Sequence, residues 1–197
     1  MLKLKEKESL EKLSEVIQAY FEKDESGHGF DHIQRVVRNA TLFLKDFPQV
    51  DHFSTLCIAY LHDVFDHKIN KVDNVEEALL DYMDQLDIDF FGKEAVIALG
   101  ASQIGYSIRD SVENKLFEAD IVSDADYMDA MGPFGLIRTF QYGYLHDHSV
   151  EEMVCHLPEK LIKLQDLLVT TGAKEMGLKR HQLLEDFYNL YQEDSKV

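Results

Sequence analysis

The chain of 197 residues contains no tryptophan, three prolines and two cysteines, and its 20 lysines and arginines are outnumbered by 37 aspartates and glutamates. Each scarcity excludes something. Cys57 and Cys155 alone cannot build a paired-Cys zinc or redox motif. Cys57, embedded in LCIAYL, reads as a small buried hydrophobe, and a reducing cytoplasm is the expected compartment. A net charge of -17 repels a nucleic-acid duplex, so no duplex partner is expected. The same field repels an anionic nucleotide unless a metal ion and local lysines or arginines invert it within a pocket. No apolar run is long enough to cross a bilayer. The opening MLKLKEKESLEKLSEVI is charged and has no apolar signal core, so no membrane partner is expected. Also missing are a glycine-rich phosphate loop, a GxGxxG motif, and any alternating β-branched run long enough to demand a sheet.

What is present is helical. Hydrophobic residues make up 45%, enough for a substantial core, and the length fits one domain spanning 1–197. Leu4, Leu10, Leu13, Val16, Ile17 and Tyr20 form a stripe at helical spacing. Ile33, Val36, Val37, Ala40, Leu42 and Leu44 repeat it over roughly 30–47, where Pro48 ends the pattern. A third helix is expected over about 52–65. Asn74 caps a fourth, with Glu76 and Glu77 in its first turn, where the helix dipole favours acids. Asp89 starts a fifth, Ser111 or Asn114 a sixth that ends near Gly132, and Pro133 a seventh. Two long helices, about 149–170 and 173–192, close an all-α chain. The irregular polar stretch 63–74 has the placement of a flap over a site.

Several polar residues sit inside these apolar helical stretches, where each must be satisfied or put to use. His32 lies in HGFDHIQRVVRNA, His62-Asp63 closes LCIAYLHDVF, and Asp126 lies in IVSDADYMDAMG. Two imidazoles and two carboxylates suit one divalent ion such as Mn²⁺, Mg²⁺, Co²⁺, Ni²⁺, Fe²⁺ or Zn²⁺. Adjacent helical residues diverge by about 100°, so His62 and Asp63 reach one ion only from beside the helix end. A second His-Asp pair, His146-Asp147, precedes a helix start and reads as loop and cap chemistry. His28 is four residues before His32, but the intervening Gly-Phe places the helix start after Gly29, leaving His28 as a pocket residue. Arg35 shares the face of His32 and is a candidate for a phosphate. Of the three acids in DADYMDA, Asp126 is the ligand candidate, and Asp124 and Asp129 are expected to hydrogen-bond to His or Lys. Asp66 is placed to take or give a proton and Lys68 to neutralise a phosphate. Arg138 and Lys160 are single cations among apolar residues, either lining an anionic pocket or snorkelling to the surface.

Taken in order, His32, His62-Asp63 and Asp126 match H…HD…D, and the chain resembles the HD-domain metal-dependent phosphohydrolase superfamily. HIQRV, LHDVFDHK, SDADYMDAMGPFGLIRTFQYG and EKLIKL extend the likeness to small bacterial HD hydrolases that include nucleoside triphosphate pyrophosphohydrolases. The resemblance covers roughly 24–190. Two departures stand out: Tyr127, where relatives commonly carry Arg, and Leu157-Pro158, where relatives have a bulky aromatic stretch, a change expected to bear on a helix start. The resemblance implies a single-domain helical bundle and one divalent ion that activates water and stabilises charge on a phosphate. It implies catalysis aided by an acid at the position of Asp66. The substrate class it implies is a small nucleotide, with cleavage of a triphosphate to monophosphate and pyrophosphate first. A nucleotide phosphomonoesterase, or a metal- or nucleotide-binding regulatory module without turnover, are the alternatives.

Overall fold

The computed structural model describes residues 2–22, 29–65 and 72–196. Among them are ten α-helices and no strand. They are α1 (Leu4–Tyr20), α2 (Phe30–Phe43), α3 (His52–Leu61), α4 (Val75–Asp84), α5 (Glu94–Ser102), α6 (Phe117–Ala130), α7 (Pro133–Leu145), α8 (Val150–His156), α9 (Leu164–Leu167) and α10 (Thr171–Asp194). The chain divides into two compact units, Met1–Ser123 and Asp124–Val197, with the boundary inside α6.

In the first unit α3 is the central element. Eight of its side chains are buried, from Phe53 to Leu61 with only Tyr60 left out of the run. α1, α2 and α5 pack around it. Buried hydroxyls on such a helix must find acceptors, and Thr55 donates to the Asp51 carbonyl at 2.8 Å. Asp51 itself, just before α3, accepts from Lys93 at 2.9 Å, and the Lys93 ammonium lies 5.2 Å from the Phe53 ring centroid. Gly100 lets α5 come close: a Cβ there would stand 2.4 Å from Ile58 Cδ1.

Partial burial pushes the Asp51 carboxyl up, but hydrogen bonds from Ser54 and Lys93 and the Lys93 charge outweigh it and hold it below the usual carboxylate value. A folded-state pKa below the unfolded one adds stability that is present above the unfolded value, about 4, and is lost as pH falls through the lowered value. The Asp51→Asn variant is therefore expected to melt below the parent at neutral pH. The gap should narrow steadily as pH falls below about 4. Thermal melts across that range measure it, and a gap independent of pH would show that the carboxylate charge contributes nothing.

The second unit holds its helices by close approaches of small residues and one buried acid. Asp124 on α6 accepts from the Val169 and Thr170 backbone N–H groups at 2.9 and 2.7 Å, fixing the corner between α9 and α10. Thr170 then caps α10, accepting from the Ala173 N–H. Gly143 on α7 lies against Met153 of α8.

Several helix ends differ from expectation, and turn chemistry explains each. α3 stops at Leu61 rather than near Phe65. The Asp89 carboxylate accepts from the Phe91 N–H at 2.8 Å, and Phe91 and Gly92 take positive φ. The chain thus turns at Asp89, and α5 begins only at Glu94. Asn114 also has positive φ, and Arg109–Ser111 forms a single 3₁₀ turn, so α6 starts at Phe117. The helix expected over 149–170 is broken. Pro158 falls inside it, not at its start, and its ring cannot sit against the carbonyl four residues back. The chain widens there into one π turn, Leu157–Leu161, closed by the Ile162 N–H donating to the Leu157 carbonyl at 2.9 Å. α9 follows as a separate short helix.

Candidate metal centre

α2 begins at Phe30 with Gly29 at its N-cap, as the Gly-Phe break predicts. Its buried residues, His32, Ile33, Val36, Asn39, Ala40 and Phe43, recur at helical spacing. His32 therefore lies in the stripe that α2 presents to α3, and its side chain is 1% exposed. His62 is the residue on which α3 ends, still in right-handed helical conformation. Asp63 follows in a tight turn, with the Val64 N–H donating to the Leu61 carbonyl at 3.1 Å. Departure from the helix resolves the divergence expected of adjacent helical residues. The Asp63 carboxylate lies between both imidazoles, Oδ2 at 3.3 Å from His32 Nε2 and Oδ1 at 3.4 Å from His62 Nε2. The two rings stand 5.5 Å apart, centroid to centroid, at 61°.

The tautomer of His62 follows from its neighbour. Nδ1–H donates to the Ala59 carbonyl at 2.9 Å, which leaves the lone pair on Nε2. That Nε2 is buried and has no hydrogen-bond partner among the described residues. A buried nitrogen lone pair without a donor is costly, unless a cation meets it. His32, His62 and Asp63 each offer a ligand atom within 4.8 Å of the others. Two imidazole nitrogens and a carboxylate oxygen form a donor set suited to a borderline divalent ion, and the backbone carbonyl on Nδ1 fixes the ring as metal-bound imidazoles require. The residues present fit such an ion.

The remaining candidates lie as follows. Asp126 is on α6 in the second unit and half-buried. Asp124 accepts from the Val169 and Thr170 backbone N–H groups, and Asp129 pairs with Arg138 at 3.1 Å. Arg138 thus has a carboxylate on its guanidinium within the second unit. Arg35 pairs with Asp31, one turn back on α2, at 2.6 Å. Lys160 lies half-buried in the π turn. Tyr127 is buried on α6. His28, Asp66 and Lys68 lie outside the described residues, as does half of the stretch read as a flap. His146 behaves as cap chemistry predicts: it ends α7, its Nδ1–H donates to the Tyr142 carbonyl at 2.8 Å, and its ring stacks on Tyr142. Cys57 is buried, which raises its thiol well above the ordinary value and leaves it a packing residue. No helix among the described residues is long and apolar enough to cross a membrane.

One contact near the cluster carries no sequence signal. The Tyr20 hydroxyl at the end of α1 donates to the Val64 carbonyl at 2.6 Å. Its acceptor is backbone, which no side-chain pattern records.

No family model matches the chain. The uncharacterized protein YpgQ of Bacillus subtilis is 27% identical over 199 residues, covering 97% of this chain and 96% of YpgQ. The crystal structure of YpgQ in complex with ADP superposes with a TM-score of 0.74 at 22% identity, covering 94% of this chain and 97% of that one. An HD-superfamily hydrolase from Bacillus thuringiensis superposes with a TM-score of 0.73 at 27% identity, covering 98% and 99%. With the histidines and aspartate of His32 and His62-Asp63 gathered at one buried point of an all-helical chain, the fold is that of the HD-superfamily hydrolases.

Proposed function

We propose that the protein is a divalent-metal-dependent phosphohydrolase of small nucleotides, and that its first substrates are nucleoside triphosphates, cleaved by water to monophosphate and pyrophosphate. The observation that carries the proposal is the buried cluster of His32, His62 and Asp63, with His62 Nε2 buried and without a hydrogen-bond partner among the described residues, as a ligand awaiting a cation would be. The ADP held by the structurally similar YpgQ supports a nucleotide as ligand.

In this reading His32, His62 and Asp63 hold the ion and Asp126 is the fourth ligand. Such an ion supplies Lewis-acid stabilisation of charge on a phosphate oxygen and a lowered pKa for water. The Ala59 carbonyl keeps His62 in the tautomer that can serve as ligand. Asp66 is the proton-transfer group, giving a proton to the leaving pyrophosphate or orienting the attacking water. Lys68, Arg35, His28, Arg138 and Lys160 are the groups for the phosphate chain, whose negative charge a protein of net charge -17 has to offset locally. Four of these, Arg35, Lys68, Arg138 and Lys160, are enough cations to span a triphosphate, whereas a monophosphate needs fewer.

The test is product analysis with added Mn²⁺ over a panel of nucleoside tri-, di- and monophosphates. Pyrophosphate from triphosphates, with little orthophosphate, is the expected result. Orthophosphate from monophosphates as the dominant product would make the protein a nucleotide phosphomonoesterase. No turnover of any nucleotide by metal-loaded protein would make it a regulatory module.

A further inference from the structure

The turn that carries Asp63 is held by neighbours on both sides. His62 is fixed by its Nδ1–H bond to the Ala59 carbonyl. Val64, fully buried, donates its own N–H to the Leu61 carbonyl and receives the Tyr20 hydroxyl on its carbonyl. Tyr20 comes from the last position of α1, 44 residues away in sequence. Its ring is set by Phe21, with centroids 5.0 Å apart, and by Tyr82 of α4 at 6.0 Å. Tyr82 in turn meets Phe65 at 5.9 Å, so the residue closing the turn rests on the same aromatic group.

We infer that Tyr20 is a positioning residue for the metal centre, its hydroxyl locking the Val64 peptide so that the Asp63 carboxylate is presented between His32 and His62. The inference rests on reading the cluster as a metal centre. Its physical basis is preorganisation. A ligand whose backbone is already fixed loses less freedom on binding, and a ligand set held by neighbouring hydrogen bonds binds more tightly. In this role Tyr20 acts through the backbone next to Asp63.

Tyr20→Phe isolates the hydroxyl, because the ring keeps its contacts with Phe21 and Tyr82. Mn²⁺ titration by calorimetry and the visible spectrum of the Co²⁺-loaded protein are the readouts, with the melting temperature of metal-free protein measured alongside. The expected result is a dissociation constant for Mn²⁺ raised roughly 2- to 10-fold, the worth of one intramolecular hydrogen bond, with an altered Co²⁺ spectrum. Site-specific 3-fluorotyrosine at position 20 keeps the donor and should restore parental affinity. Tyr82→Phe, which alters the same aromatic group at another position, should leave affinity and spectrum unchanged. A Tyr20→Phe protein that melts lower yet binds Mn²⁺ as the parent does, with the same spectrum, would reduce Tyr20 to a packing residue and overturn the inference. A parent that binds neither Mn²⁺ nor Co²⁺ would instead remove the metal centre itself.

Discussion

Replacing Asp63 by alanine is expected to strip the divalent ion from the protein and abolish pyrophosphate release from nucleoside triphosphates. The parent should carry about one ion per chain, because the motif supplies one ligand set. Asp63 is the anionic group of the described cluster, placed 3.3 and 3.4 Å from the two imidazoles it separates. Removing it leaves the two imidazole nitrogens of the described cluster without the carboxylate that lies between them to balance the charge of a divalent cation. Asp63→Asn keeps the shape but not the charge and should lose the ion as well. His62→Ala removes a buried nitrogen that has no hydrogen-bond partner among the described residues and should behave alike. His146→Ala, which alters only the capping pair at the end of α7, should leave metal content at the parental value. Elemental analysis of purified protein decides this. Full occupancy in both Asp63→Ala and His62→Ala would refute the ligand assignment, whatever happens to activity.

Much of this architecture was readable from residue order, and the exceptions share a cause. Helix existence follows from apolar stripes, which the packed helices must bury, and α1, α2, α4 and α7 begin close to where spacing and capping place them. Helix ends depend on single side-chain-to-backbone bonds, such as the one Asp89 makes with the Phe91 N–H, and these override a continuing apolar pattern. Pro158 is the sharpest case: read as a start signal, it sits mid-helix and forces a π turn. The gathering of His32, His62 and Asp63 at one buried point is legible for the opposite reason. His32 and His62-Asp63 occupy buried positions on elements whose packing partners are themselves evident, so their polarity was an anomaly that needed a use. Asp124 is an anomaly of the same kind, and two backbone N–H groups use its carboxylate. A buried aspartate that accepts from backbone is indistinguishable in sequence from one beside a histidine or lysine. Tyr20 is invisible altogether, since its partner is a carbonyl that every residue possesses.

The role of Asp124 yields the second large effect. The Asp124→Ala variant is expected to lose about 3 kcal/mol of stability, because two backbone N–H groups at the entry to α10 lose their acceptor and each orphaned donor costs about 1–3 kcal/mol. Thr170 is 2% exposed, so water cannot readily replace the carboxylate at its N–H. The same residue caps α10 through its hydroxyl, so disorder at this corner should spread into the first turn of a 24-residue helix. Asp124→Asn keeps one acceptor oxygen and should lose less than half as much. Urea unfolding of the three proteins gives the comparison, with hydrogen exchange at Val169, Thr170 and Ala173 as the local readout. Metal content offers a separate check. If Asp124 serves the α9–α10 corner and is no ligand, Asp124→Ala that remains folded should bind Mn²⁺ in the parental stoichiometry, whereas Asp126→Ala should bind it more weakly. A variant as stable as the parent, with amide exchange at the corner unchanged, would mean that these two hydrogen bonds do not hold it.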